Sequence, residues 1–165
     1  MKESIINAFS HRTLPESLIG TQPRDTTDRS VLESLQKLND WMIPISFLEQ
    51  EYDFFTLIDG AAFCYFLPRT MLTSFNENRP DLLVVDSLIS DLDRSPRKDY
   101  WDKYFIDRWP RLTKPEVAVV SDLISWLSHT KDWAHNELSL IRAMETLDLL
   151  AAYKASDDET PTSTG

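Results

Sequence analysis

The sequence predicts an all-α fold, a single-domain bundle of six or seven helices, and three observations carry that expectation. Apolar residues recur at three- and four-residue intervals through most of the chain, and no segment alternates cleanly with period two. Only three glycines occur in 165 residues, few for a fold built on tight β-turns. Helix-start residues (Asp, Asn or Thr, often followed by Pro or an acid) precede the apolar stripes. A chain of this length buries roughly 70% of its unfolded surface, so it needs neither a disulfide nor a metal to hold together.

Each element follows from its own spacing. KESIINAFS sets Ile5, Ile6 and Phe9 on one face of a short N-terminal helix. His11 to Thr27 carries Pro15, Gly20 and Pro23 and reads as a loop. Helical spacing resumes with Val31, Leu35 and Leu38, and Asp28 stands where an N-cap is useful. WMIPISFLEQEYDFF begins a helix near Pro44, with Phe47, Leu48, Glu51 and Phe55 on one side. Asp59 is read as the cap of the helix that follows. Asn78 is read as the cap of the next one, with Pro80 in its first turn and a stripe of Leu82, Val85, Leu88, Ile89 and Leu92.

After a break at Ser95 to Lys98, DYWDKYFIDRW puts Tyr100, Trp101, Tyr104, Phe105 and Trp109 at helical intervals. Thr113 and Glu116 have capping-box spacing and open a helix striped by Val117, Val120, Leu123, Ile124 and Leu127. Asn136 is placed to cap the last helix, whose stripe is Leu140, Ala143, Met144, Leu147, Leu150 and Ala151. The domain is read as residues 1–155. SDDETPTSTG, residues 156–165, is read as a disordered polar tail.

Charge narrows the partners. Asp and Glu number 27 against 17 Lys and Arg, a formal net charge of −10. Such a chain repels phosphate backbones, so direct nucleic-acid binding is not expected. The same charge suits a basic protein. MKESIINAFSHR lacks an apolar run of signal-peptide length, and no stretch approaches the roughly 18 apolar residues of a membrane span. Cys64 is the one cysteine, compatible with a reducing compartment. A cytoplasmic protein without membrane contact is the expectation.

Catalytic and cofactor signatures are missing. No phosphate-cradling glycine loop, H-E-x-x-H, C-x-x-C pair or G-x-S-x-G occurs, so no cofactor, metal or catalytic residue is assigned. His129, Asp132 and His135 stand three apart in SHTKDWAH, which reads as a solvated connection between helices. A small enzyme with an unfamiliar site would have to use these residues or a carboxylate near Pro68. Cys64, amid Phe63, Tyr65 and Phe66, reads as a buried thiol. The aromatic segment is the candidate for partner binding: Tyr100, Trp101, Tyr104 and Trp109, interleaved with Asp102 and Asp107, could dock a basic surface.

DGAAFCYFLPRTML, from Asp59 to Leu72, is apolar on nearly every side and must lie centrally. Pro68 removes one helix hydrogen bond and crowds the Cys64 carbonyl, so the central helix is predicted to kink or restart there. AFCYFLP resembles the A-F-x-Y-x-L-P signature of an uncharacterised family of small bacterial proteins, a domain of unknown function. IINAF, DFFTLIDGAAF and RLTKPEVAVVSDLISWL occur in similar order in that family. Cys64 and Arg69 depart from its pattern, where a basic and a small residue are commoner. The resemblance implies no activity, cofactor or site residue. The functional expectation is therefore a non-enzymatic acidic binding protein, such as an immunity-type inhibitor that occludes a basic toxin or enzyme. The alternatives are a small helical enzyme and a self-associating structural domain.

Overall fold

Side-chain caps set where four of the helices of this chain begin. The computed structural model describes residues 1–20, 23 and 25–158; the remaining tail, 159–165, lies outside the described residues. Among the described residues there are eight α-helices and no strand beyond an isolated Ile19–Ile58 bridge. They are α1 (Lys2–Phe9), α2 (Thr26–Leu35), α3 (Ile45–Gln50), α4 (Gly60–Asn76), α5 (Leu83–Leu92), α6 (Lys103–Ile106), α7 (Lys114–Leu127) and α8 (Glu137–Asp158). The chain forms the all-α bundle that its spacing predicts. Helix α8 runs to Asp158, three residues into the stretch read as tail.

Helix α4 is the central element. Asp59 caps it, accepting a bond from the Ala62 N–H at 2.8 Å, and every residue from Ala62 to Ser74 is buried. The helix passes through Pro68 without restarting. The proline ring leaves the Cys64 carbonyl without its usual donor. The next carbonyl, of Tyr65, accepts a bond from Arg69 Nη1 at 2.7 Å. Around α4, α1 packs against both α4 and α7, and α8 packs against α5 and α7. One continuous apolar cluster joins them, from Ile5 and Phe9 through Phe63, Phe66 and Trp109 to Leu147.

Three expected boundaries move. Asp25, not Asp28, caps α2: its carboxylate accepts from the N–H groups of Thr27 and Asp28. Asp28 lies inside the first turn, buried. Asn78 ends α4 instead of starting α5. Its φ is +50°, and Asn78 N–H bonds to the Phe75 carbonyl while Arg79 N–H bonds to that of Ser74. This is a Schellman closure with Asn in the left-handed position that usually takes glycine. The segment Asp99–Trp109 is not one helix. The Asp102 side chain caps Phe105 N–H and starts the short α6, so the segment splits into a turn at Lys98–Tyr100, α6, and a turn at Trp109–Arg111.

The loop after α1 is also anchored. Leu18 is buried, Gly20 N–H bonds to the Leu57 carbonyl, and Asp59 N–H bonds back to Leu18. A Cβ at Gly20 would sit 2.3 Å from the Ile58 carbonyl oxygen, so the backbones meet only because the side chain is missing.

A buried ion pair closes the bundle. Glu116, wholly buried, completes a capping box with Thr113 at the start of α7. Its two carboxylate oxygens also take Nε and Nη2 of Arg12, each at 2.7 Å. That bond raises the Arg12 pKa above its ordinary value. The pair is asymmetric: the Arg12 side chain is 22% exposed and can rehydrate, whereas Glu116 cannot. Arg12→Met, which strands the buried charge, is therefore expected to lose about 3 kcal/mol in urea denaturation. Adding Glu116→Gln should recover part of that loss. Additive losses would show that the pairing is not what stabilises the two residues.

Candidate partner-binding groove

The six aromatic and acidic residues singled out between Tyr100 and Trp109 divide between core and surface. Trp109 is fully buried, edge-on to Phe63. Trp101 is also buried, with its indole N–H on the Ser95 carbonyl and its ring against Phe105. Trp109 has no access to a partner, whereas Trp101 borders a cleft of about 270 Å³ with Ile106, Pro110 and Leu150. Tyr100 is 65% exposed, beneath Arg97. Asp102 caps α6 and meets Arg94 at 3.3 Å, and Asp107 pairs with Lys103. Trp101 packs against Phe105 and against Tyr153 of α8, and Trp109 against Phe63 and Phe105, so both belong chiefly to the core.

Tyr104 borders a separate cleft of about 290 Å³ between the turn at Phe54–Thr56, α5 and α6. Asp53, Asp86 and Asp91 line it, with Ser87, Ser90 and Tyr52. Burial pushes the Asp91 carboxyl up to about 6, against the opposing pull of Arg94, Arg108 and the Tyr104 phenol, while Asp102 adds to the rise. Burial, then the Asp91 charge, also raises the Tyr104 phenol. Arg108 is committed elsewhere. It lies 3.7 Å over the Tyr104 ring and donates to the carbonyls of Tyr104, Phe55 and Ile58.

The other candidates for chemistry are inert or apart. Burial pushes the Cys64 thiol up to about 11, with Arg12 opposing, so it stays protonated at neutral pH. His129, Asp132 and His135 are exposed, and among the described residues no three His, Cys, Asp or Glu side chains form a metal-binding group. His129 instead contacts the Ser125 carbonyl through Nδ1 at 2.6 Å, closing the end of α7.

A groove of about 630 Å³ lies between α7 and α8. Its floor and walls are Ile124, Trp133, Leu140, Ile141 and Met144. Glu137, Glu145 and Asp148 of α8 also line it. Trp133 is fixed from below by its indole N–H on the Pro80 carbonyl at 2.9 Å. Outside the core stripe of α8, Leu138 and Ile141 remain 63% and 47% exposed. Sequence reading missed them because it followed only the stripe that α5 and α7 cover. A signal was present: two large aliphatics three residues apart, off that stripe and followed by acids. No family model, curated protein or solved structure matches the chain.

A carboxyl with a raised folded pKa binds its proton more tightly in the folded state. Asp91 therefore opposes folding fully above about pH 6, and not at all below its unfolded value near 3.8. Asp91→Asn is expected to stabilise the protein by about 2 kcal/mol at neutral pH, after allowance for partial exposure. The gain should shrink towards zero as pH falls to about 4. Urea denaturation across that range checks both the size and the sign.

Proposed function

We propose that the protein is a non-enzymatic acidic binding protein that covers a basic protein partner, in the manner of an immunity-type inhibitor. The observation that supports this best is the α7/α8 groove, whose lining combines a fixed tryptophan and aliphatic side chains with three carboxylates. Apolar contact supplies affinity at such a surface, and a rim of one sign steers a partner of the other sign. The net charge of −10 works in the same direction over longer range. No helix of the described residues is long and apolar enough to cross a membrane, and the proposed partner is a protein. The resemblance carried by Ala62–Pro68 falls on the buried α4 and adds no site to this reading.

A specific observation keeps one second reading, a small enzyme: the raised Asp91 carboxyl beside Tyr104 in a cleft is where acid–base chemistry would sit. The two readings separate on partner association. The immobilised protein is expected to retain a basic protein from its host, with affinity falling at least about tenfold between low and high salt. Retention indifferent to salt would remove the electrostatic basis of the proposal.

A further inference from the structure

We infer that the α7/α8 groove docks an amphipathic, basic helix of the partner, about three turns long. This assignment rests on the binding-protein reading and names the occupant of its surface. Length comes first. The lining runs along α8 from Glu137 to Asp148, roughly 17 Å at helical rise, the span of about 12 helical residues. Chemistry comes second. The exposed part of the floor is aliphatic and thioether, Ile141 and half-buried Met144 beside buried Trp133, which suits Leu-like anchors spaced three and four apart. Glu137, Glu145 and Asp148 line the same groove, so Lys or Arg of the docked helix would meet them there.

Charge decides among possible occupants. A second copy of this chain brings another net −10 against the same carboxylates. Residues 159–165, which follow α8, carry Glu159 and no cation, so they offer the groove's carboxylates no opposite charge. The cation within the lined part of α8, Arg142, is turned to Asp93 at 3.1 Å, away from those carboxylates. A basic helix from another protein satisfies both the apolar floor and the carboxylates.

The probe is a synthetic Leu/Lys amphipathic peptide of about 14 residues, titrated into the full chain and read by NMR. Two control peptides replace Lys by Glu, or Leu by Ser. Saturable binding of the Leu/Lys peptide is expected, with shifts at Ile124, Ile141, Met144 and the Trp133 indole. Ile141→Glu, an exposed position whose substitution leaves the core intact, should weaken it at least about tenfold, whereas Asp107→Asn on the α6 side should not. Absence of saturable binding overturns the assignment, as does equal binding of either control peptide or indifference to Ile141→Glu. Self-association of the chain that Ile141→Glu abolishes would place a second copy in the groove, also overturning it. A host protein retained equally by wild type and Ile141→Glu would sink the groove assignment while leaving the broader reading in place. Peptide binding without any basic host partner would do the reverse.

Discussion

The contact on which the rest depends is the buried pair between Arg12 and Glu116. Glu116 has no access to water and is held by the Arg12 guanidinium and the Thr113 N–H, so its charge is tolerated only with all three in register. The pair fixes the end of α1 to the start of α7. Arg12 Nη2 also reaches the Arg111 carbonyl, which ties in the turn after α6. Helix α4 is then enclosed by α1 on one side and by the Trp109 turn on another. With α7 oriented in this way, α8 can lie across α7 and α5, and the groove between α7 and α8 follows from that crossing.

The buried charges show a second regularity. Arg69 and Arg108 each lie over the ring of the tyrosine four residues earlier, at 3.4 and 3.7 Å, and each donates to that tyrosine's carbonyl. Trp41 adds a second ring beside Arg69. The planar guanidinium suits this use, since it combines stacking with a fan of donors that an ammonium lacks. Among the described residues the buried cations Arg69 and Arg108 are matched in number by the buried anions Asp28 and Glu116. Burial therefore leaves the surplus of acids to the remaining, mostly exposed residues, where it acts on whatever approaches.

Much of the fold is legible in the sequence because its signals are local. The stripes of α5, α7 and α8, the Asp59 cap and the Thr113–Glu116 box all depend on residues within one or two turns. The misread boundaries are those where one residue type serves two purposes. Asn78 suits both a helix start and a left-handed helix end, and only the bonds to Ser74 and Phe75 decide between them. Asp102 looks like part of a polar face but its side chain starts a new helix, and Trp101 and Trp109 of the same segment are buried. The groove is harder still to read. Ile141 and Met144 become a surface only when it is known which side of α8 its neighbours cover, and that knowledge is tertiary. The Arg12–Glu116 pair spans 104 residues and leaves no local trace.

That separation has a consequence for how the chain is made. At a synthesis rate of about 5–20 residues per second, Glu116 follows Arg12 off the ribosome by roughly 5–20 s. During that interval Ile5 and Phe9, both fully buried in the finished bundle, have no α7 to lie against. The first helix is thus an early product with a late partner. A nascent chain paused before α7 can cover α1 with α4 but leaves its α7-facing side open, the kind of surface that chaperones hold and proteases find. The order in which the helices emerge thus sets when the two sides of α1 are covered.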